Sequence, residues 1–572
     1  MCLRSLLLLL CALPALADTA APEAASGFTP RLAITASHDM VTTANPYASQ
    51  AALDILQAGG SAVDAAIAAQ LVLGLTEPQS SGIGGGAFML YYNGHQLTTF
   101  DGRETAPATV DGKLFLQEQG RPMDFYQAAI GGRSVGVPGV VAMLKLAHQR
   151  GGRLPWASLF QPAIRLARQG FAISPRLHTL LSSERFLQDD PVARAYFYLP
   201  DGQPKAVGSV LKNPDYAATL QQLARSGPRA FYEGEIASAI LAKVNHHPRN
   251  PGRMLASDLA AYQAIERKPV CGPYRSWQVC GMDAPSSGGI ALLQMLGMLQ
   301  RFPMAQMAPT ASDTIHLFAE ANTLAFADRN RYLADPAFVQ VPGQALIDAG
   351  YLRQRSLLIR PERSMGLAPA GEPQGVSLAR YGRDRAPELP CTSHINIVDR
   401  QGRVVSMTSS VEDQFGSRLM VKGFLLNNQL TDFSFVPLDN GSPVANRVEA
   451  RKRPRSSMSP TMVFDARGQF LLATGSPGGS QIIGYVAQTL LALLDWKLDP
   501  QQAVSLPHYG NRNGATELEK GRGLEVQAST LQALGHRIEQ VEMTSGLSAI
   551  IRSGKGLMGG ADPRREGVVL GH

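Results

Sequence analysis

The spacing of apolar residues changes abruptly at Thr392, and this change limits the folds that the chain can adopt. Most segments in the range 138–335 carry apolar residues every three or four positions, as amphipathic helices do. Apolar residues instead alternate along 392–398 and 403–410, which predicts a β-hairpin, and a second hairpin of the same design is predicted within 461–474. Strands with helices on both sides predict an α/β architecture.

The first 17 residues are predicted to be a secretory signal peptide. Arg4 provides a basic start, Ser5–Leu13 is almost wholly apolar, and Ala15-Leu16-Ala17 is a small-x-small cleavage site. The apolar run is too short to span a bilayer, and we find no later run that is long enough for a membrane helix. The mature chain is therefore expected to begin at Asp18, to be periplasmic or secreted, and to have no membrane partner.

The cysteines leave one structural question open. Three of the five cysteines, Cys271, Cys280 and Cys391, follow the signal segment. Cys271 and Cys280 flank a short alternating segment, so they either form a hairpin disulfide or remain two half-buried strand cysteines. The chain has no Cys-x-x-Cys and no His-Glu-x-x-His motif, so neither a metal site nor another cofactor is expected.

The net charge of +7 comes mostly from scattered basic residues. The exception is a short cluster formed by Arg451, Lys452, Arg453 and Arg455. This cluster contains no aromatic residue and lies in an exported chain, so we expect a solvated loop or a binder of a small anion rather than a nucleic-acid site.

We predict that the chain is cut before Thr392. The preceding segment, 361–390, is rich in proline, glycine and charge, which predicts an exposed and flexible linker. If the hairpin turn is centred between Arg400 and Gln401, Thr392 pairs near Ser409, and the hydroxyl of Ser410 lies beside that of Thr392. An ordinary pair of strands shows the same pattern, because threonine and serine are common in sheets.

Three further segments are candidates for a binding site, and each also has an ordinary structural explanation. Gly478 and Gly479 precede an apolar helix, where their N–H groups form either an oxyanion hole or a plain capped turn. Gln429 and Asp432 either bind an ammonium group or belong to a loop with a helix cap. Arg103 follows a predicted strand and either holds a carboxylate through a bidentate pair or forms a surface salt bridge.

Considered together, these segments resemble the γ-glutamyltransferase (γ-glutamyltranspeptidase) family in order and spacing. The resemblance is carried by Thr392-Ser393-His394, Leu426–Asp432 with Phe433-Ser434, Arg453–Pro460 and Thr474–Ser480, and upstream by Asn45–Asp64, Glu77–Gly86, Asp101–Pro107, Pro285–Gly289 and Glu320–Asp335. It implies an N-terminal nucleophile hydrolase with a four-layer αββα sandwich and a largely helical portion in the large subunit. It also implies a precursor that cuts itself between Cys391 and Thr392 into a large subunit, 18–391, and a small subunit, 392–572, which remain associated.

The resemblance also assigns a role to each candidate residue. Thr392 is the expected nucleophile of self-cleavage and turnover, and Ser410 matches the hydroxyl partner that orients it. The residues expected to bind the α-carboxylate of a γ-glutamyl group are Arg103, Ser456 and Ser457. The residues expected to bind its α-amino group are Gln429 and Asp432. The residues expected to supply the oxyanion hole are Gly478 and Gly479.

The expected chemistry explains why the nucleophile lies inside the chain. A threonine hydroxyl is a poor nucleophile near neutral pH, but a free α-amino group titrates around pH 7.7–8 and accepts its proton. That amine does not exist until the bond before Thr392 breaks. Attack on a γ-amide, of glutathione or another γ-glutamyl compound, would give a γ-glutamyl ester. Water or the amine of an amino acid or peptide would then resolve the ester.

Three positions depart from the family pattern. Glu412 stands where many members have an asparagine near the substrate ammonium, so it either binds that ammonium or favours another acyl group. Ser410 replaces the usual threonine but keeps the hydroxyl. The segment 436–449 is shorter than the lid loop of well-known members, which predicts an open site that favours bulky acyl donors or plain hydrolysis.

Two alternatives remain beside a γ-glutamyltransferase and glutathione hydrolase. The chain is either a family member that acts mainly as a hydrolase or acylase on other γ-glutamyl or dicarboxylyl amides, or a periplasmic binding protein for glutamyl compounds without turnover. Asp432 argues against the related cephalosporin (glutaryl) acylases, in which we expect the ammonium contact to be lost.

Overall fold

The computed structural model describes residues 25–376, 380–386, 388–389, 391–554 and 556–572. The predicted signal peptide, 1–17, lies outside the described residues. Two seven-stranded antiparallel sheets dominate the structure, and strands of one sheet contact strands of the other. The predicted α/β architecture is therefore confirmed.

The first sheet carries Thr392. Its strands, in spatial order, are Val568–Gly571, Met40–Thr43, Thr392–Val398, Val404–Ser410, Gly86–Tyr92, Leu97–Gly102 and Ile265–Arg267. Thr392 pairs with Ser410 in this sheet, so the predicted register is wrong by one residue. The cause is the turn, in which Oδ1 of Asp399 accepts the N–H groups of Gln401 and Arg403, each at 3.0 Å. A three-residue turn therefore replaces the expected two-residue turn.

The second sheet lies against the first. Its strands, in spatial order, are Ile34–Ala36, Gly556–Ala561, Ser548–Ser553, Phe470–Gly475, Thr461–Phe464, Trp277–Gly281 and Val270–Tyr274. Cys271 and Cys280 are directly opposite each other in its edge hairpin and form a disulfide, which settles the question that the sequence left open. A three-stranded sheet is formed by Tyr509–Asn511, Thr516–Glu519 and Ile538–Val541. Pairs of two-residue strands are Phe171–Ala172 with Val210–Leu211, Met420–Val421 with Phe424–Leu425, and Leu438–Asp439 with Ser442–Pro443.

Helices contact strands of both sheets, and most of the helices precede residue 392. Their bounds are Pro46–Gln57, Ala62–Thr76, Phe125–Ala129, Val140–Gly151, Gln161–Gln169, Pro175–Ser183, Pro191–Phe197, Pro214–Ser226, Arg229–Tyr232, Glu235–Asn245, Ala256–Ala260, Gly288–Leu299, Ser312–Tyr332, Gly343–Leu346, Ala349–Ser356, Ile482–Leu494, Pro500–Val504 and Ala528–Ala533. Across the described residues, no helix combines the length and the hydropathy needed to cross a bilayer.

Helix packing follows from residue size and capping. The Ala62–Thr76 helix is buried along its whole length and packs on the first sheet, because its many alanines permit close approach. Ser61 and Asp64 form the predicted capping box at its start. On the other side of the molecule, Gly288–Leu299 and Ile482–Leu494 contact strands of the second sheet.

Polar side chains bridge the two sheets next to Thr392. Asn396 donates across the sheets to the carbonyl oxygen of Ser548 at 3.2 Å, and within the first sheet a ring nitrogen of His394 lies 2.8 Å from the hydroxyl of Thr408. Burial lowers the pKa of His394 to about 3, so this imidazole is neutral. A Cβ at Gly475 would lie 2.2 Å from the His394 ring, so glycine is what lets the sheets approach here.

The disulfide gives a prediction about stability. The Cys271→Ser/Cys280→Ser double variant should lose about 2–3 kcal/mol of stability, because the cross-link restricts a short loop in the unfolded chain. Thermal unfolding monitored by circular dichroism measures this loss. Reductant should lower the melting temperature of the parent protein and leave that of the double variant unchanged; an equal response in both proteins would contradict the assignment.

Candidate active site

Thr392 begins a strand inside the first sheet, and its side chain is buried. Its Oγ1 donates to Oγ of Ser410 at 3.5 Å. The Ser410 hydroxyl donates in turn to the carbonyl oxygen of Cys391 at 2.7 Å and accepts the N–H of Glu412 at 2.8 Å. Ser410 therefore polarises the carbonyl of the Cys391–Thr392 peptide bond and lies next to the Thr392 hydroxyl.

A pocket with about 280 Å³ of empty space opens beside Thr392. The predicted site residues that line it are Arg103, Thr392, Ser410, Glu412, Gln429, Asp432, Ser456, Ser457 and Gly479. Gly478 stands one residue before this wall, with a φ of 136°, and a Cβ there would lie 2.6 Å from the Tyr485 ring. Both glycines precede the Ile482–Leu494 helix, as the sequence predicts.

Two guanidinium groups and a hydroxyl form a carboxylate-binding corner in this pocket. Nη2 of Arg329 and Nη2 of Arg455 donate to the Glu388 carboxylate at 2.5 and 2.8 Å. The Ser457 hydroxyl donates to it at 2.6 Å. Burial alone would raise the pKa of Glu388, but the two guanidinium groups outweigh burial and hold this pKa well below its usual range.

Arg329 and Glu388 belong to this corner, although no local sequence pattern points to either residue. Arg329 lies in the last turn of the Ser312–Tyr332 helix, where an arginine usually interacts with the final carbonyls of its own helix. It instead donates to Ser287 at 2.8 Å and to Ser457 at 2.6 Å. The helical spacing shows that Arg329 is on a helix, but not that its guanidinium group binds Glu388 and Ser457 at the pocket wall.

Arg103 approaches the same pocket from another wall. Its Nε donates to the Pro454 carbonyl at 3.1 Å, and Nη2 donates to the Arg455 carbonyl at 2.7 Å and to Asp432. Its Nη1 is buried without a hydrogen-bond partner among the described residues, with Glu104 3.7 Å away. Burial raises the pKa of Glu104 to about 8, so that carboxyl is largely protonated at pH 7. Arg103 therefore has one guanidinium nitrogen without a hydrogen bond in the described part of the chain, at a wall of the pocket.

Hydrogen-bond acceptors of Gln429, Asp432 and Glu412 lie together on one side of the pocket, which we call the acceptor corner. Gln429 Nε2 donates to Asp432 at 2.8 Å, while its Oε1 is buried without a partner in the described part of the chain. Asn428 donates to the Glu412 carboxyl. Burial, followed by the charge of Asp432, raises the pKa of Glu412 well above its usual range, and burial also raises the pKa of Asp432. An ammonium ion bound here would stabilise both carboxylates.

The end of the linker before Thr392 enters this pocket, so the prediction of an exposed segment is wrong for the described residues from Tyr381 to Leu389, whereas most residues in 361–376 are exposed or partly exposed, as predicted. Tyr381 and Asp384 are buried, and Arg455 pairs with Asp384 at 2.9 Å. Glu388 and Leu389 line the pocket, and the N–H of Leu389 donates to the carboxyl group of Glu412. The charged residues that indicated exposure are therefore partly used in buried ion pairs.

The basic cluster is also largely buried. Lys452 donates to the Ala445 carbonyl at 2.7 Å, and Arg453 donates to the Gln263 carbonyl at 2.8 Å. Arg451 is exposed. The prediction of a solvated loop is therefore wrong for most of the cluster, whereas Arg455 does bind a carboxylate.

Known proteins resemble this chain over nearly its whole length. The family model described as Gamma-glutamyltranspeptidase matches residues 48–572. The glutathione hydrolase proenzyme of Escherichia coli (strain K12) is 36% identical over 93% of this chain and 91% of its own. The acylase ACY 1 proenzyme of Pseudomonas sp. (strain SE83) is 34% identical over 92% of both chains. The structure of cephalosporin acylase from Bacillus halodurans is similar with a TM-score of 0.82, at 27% identity, over 96% of this chain and 99% of its own.

Proposed function

Since the chain belongs to the γ-glutamyltranspeptidase family, we propose that it is an exported γ-glutamyltransferase and glutathione hydrolase that is activated by self-cleavage before Thr392. The sequence-based predictions of this family and of an enzyme are confirmed. The relatives named above are enzymes, so the alternative of a binding protein gains no support. The observation that carries the proposal is the contact of Ser410 with both the Thr392 hydroxyl and the Cys391 carbonyl, beside a pocket with separate carboxylate and acceptor corners.

Self-cleavage follows from the contacts around Ser410. The Thr392 hydroxyl attacks the carbonyl carbon of Cys391, and the Ser410 hydroxyl stabilises the oxyanion that forms on its oxygen. The C–N bond then breaks, and the nitrogen keeps the electron pair and receives the hydroxyl proton. Water hydrolyses the resulting ester, which leaves a carboxylate on Cys391 and a free α-amino group on Thr392. The proposed products are the chains 18–391 and 392–572, after removal of residues 1–17.

Departure of the linker would open the pocket to substrate. In the uncut chain the Glu388 carboxylate fills the carboxylate corner, and the Leu389 N–H reaches the acceptor side at Glu412. These two groups occupy the positions suited to the carboxylate and the ammonium of an amino acid. A γ-glutamyl substrate would therefore place its α-carboxylate against Ser457, Arg329 and Arg455, where Glu388 lies in the uncut chain, and its α-amino group against Asp432.

Turnover would reuse the same hydroxyl. The free α-amino group of Thr392 has an ordinary pKa near 8, so it accepts the proton as the hydroxyl attacks the γ-amide carbonyl. The N–H groups at Gly478 and Gly479, which precede a helix, are suited to stabilise the oxyanion. The leaving amine takes the proton, and water or an acceptor amine then resolves the γ-glutamyl ester.

The acylase alternative is argued from Glu412 and from the acylase relatives. The carboxyl group of Glu412 adds a second acidic side chain beside Asp432, which an asparagine at this position would not do. However, Gln429 and Asp432 lie with Glu412 on the pocket wall and together favour a donor with an α-ammonium group. We therefore retain a γ-glutamyl donor as the first choice.

The first prediction from this proposal concerns the nucleophile. Thr392→Ala should give a single uncut and inactive chain, because no hydroxyl is available to attack the Cys391 carbonyl. Thr392→Ser keeps a hydroxyl and should still be cut, which controls for misfolding. Denaturing electrophoresis with N-terminal sequencing of the smaller fragment measures the outcome; a fully cut or fully active alanine variant would refute the proposed role.

The second prediction concerns the oxyanion in self-cleavage. Ser410→Ala removes the donor to the Cys391 carbonyl and should slow the cut by about 10²–10³-fold, the usual effect of losing one such donor. Ser410→Thr keeps the donor and should be cut at a rate close to that of the parent chain. The time course of fragment appearance measures both rates, and an alanine variant as fast as the parent chain would exclude this role.

The third prediction concerns the donor. Glutathione and a γ-glutamyl anilide should be turned over more efficiently than a glutaryl amide, by about 100-fold or more in kcat/KM, because the glutaryl group lacks the ammonium and leaves buried acceptors unpaired. In Glu412→Gln, the kcat/KM values for the γ-glutamyl donors and for the glutaryl amide should lie closer together than in the parent protein. Turnover is measured with and without a dipeptide acceptor; preference for the glutaryl amide would instead identify an acylase.

A further inference from the structure

A cluster of three side chains with potential metal-ligand atoms lies outside the active site. His316, Glu320 and His536 are buried, and one ligand atom from each lies within 4.8 Å of the other two. It is the only group of this kind among the residues that the structure describes. His316 and Glu320 are one turn apart on the Ser312–Tyr332 helix, so they share one face. His536 comes from the segment that follows the Ala528–Ala533 helix.

The outer ring nitrogens of both histidines have partners. Nε2 of His316 lies 2.8 Å from the Arg360 carbonyl oxygen and must donate to it, so Nδ1 of this ring carries a lone pair in the neutral form. That Nδ1 lies 2.7 Å from Nε2 of His536. Nδ1 of His536 is 2.9 Å from the Thr516 hydroxyl, which is able to accept its proton. Metal-binding histidines are typically oriented by such a partner on the second nitrogen.

The third side chain is oriented in the same way. Oε1 of Glu320 accepts the Ser364 hydroxyl at 2.8 Å, and Oε2 accepts the N–H of Met365 at 2.9 Å. Each carboxylate oxygen has a second lone pair that these bonds leave free. All three potential ligands are therefore fixed by outer partners, with their remaining lone pairs close together.

We propose that His316, Glu320 and His536 bind a divalent transition metal ion, with Zn²⁺ as the best fit. Two neutral imidazoles and a carboxylate are ordinary ligands of Zn²⁺, at about 2.0–2.2 Å, and water would complete the tetrahedron. The two ring nitrogens, which are 2.7 Å apart, would separate to about 3.3 Å, the ligand–ligand distance in a tetrahedron with such bond lengths, and the Glu320 oxygen, within 4.8 Å of both nitrogens, would close to a similar distance. His316 and Glu320 have no metal motif in sequence, because the third ligand follows more than 200 residues later.

The position of the site suggests what the ion does. Arg329 is 13 residues from His316 on the same helix, or about 20 Å at 1.5 Å per residue, so the ion lies far from the active-site pocket. His316 and Glu320 precede Thr392, whereas His536 follows it. If the proposed cleavage occurs, the ion joins the two subunits; this consequence rests on the proposed function, but metal binding does not.

A hydrogen bond between the two imidazoles is the competing explanation of the 2.7 Å contact. In that state His536 Nε2 carries a proton and donates to His316, and the Thr516 hydroxyl donates to His536. Such a pair needs no carboxylate nearby. Metal binding requires that Nε2 of His536 lose this proton and that Glu320 contribute to affinity, so the two states respond differently to substitution of Glu320.

The test uses the full-length protein without an affinity tag, treated with a chelator and titrated with ZnCl₂ by calorimetry. One Zn²⁺ per chain should bind, and CoCl₂ should give the visible absorption of a tetrahedral site. His316→Gln, His536→Gln and Glu320→Gln should each weaken binding by about 100-fold, and Thr516→Val by about 10-fold, the range seen for outer partners. His95→Gln, in an exposed hairpin turn, is the matched control and should bind as the parent does.

Folding and cleavage are followed separately from metal binding. Circular dichroism identifies variants that fail to fold, and the uncut Thr392→Ala chain should bind Zn²⁺ as the cut protein does. Failure of cleavage would then leave the metal proposal intact. A folded parent protein that binds no Zn²⁺, or binding that survives all three ligand substitutions, would overturn the metal proposal.

Discussion

The pairing of Thr392–Val398 with Val404–Ser410 fixes the geometry on which the active site depends. Because Thr392 lies directly opposite Ser410, the Ser410 hydroxyl reaches the Cys391 carbonyl and the Thr392 hydroxyl together. A slip of one residue would turn these side chains to the opposite face of the sheet. The register of this hairpin therefore determines the geometry of the reacting groups as well as the pairing of the strands.

A charge network connects this hairpin to the chain before it. Arg455 pairs with both Asp384 and Glu388, and Arg329 shares the Glu388 carboxylate. Paired charges tolerate burial far better than isolated ones. The ion pairs of Glu388 therefore hold the end of the linker in the pocket. After the linker has left, the same arginines would attract the carboxylate of an acidic substrate.

The sequence predicted the elements that depend on local patterns. Alternation and turn residues identified the hairpins, and the Ser61–Asp64 spacing identified a helix start. The hairpin register failed because the Asp399 side chain enlarges the turn by one residue. Arg329, Glu388 and the burial of the linker's end were missed for a different reason: their contacts join residues about 60–130 positions apart, and no local pattern records them. The pocket residues came instead from the family resemblance, which carries long-range information that periodicity lacks.

The most direct measurement is to trap the acyl group during turnover. The enzyme is quenched in acid while it consumes a γ-glutamyl donor, and the small fragment is mapped by mass spectrometry. We expect one γ-glutamyl group on the N-terminal Thr392 of a chain that begins at this residue. An adduct on another residue, or a single uncut chain that turns over the donor at full rate, would contradict the account.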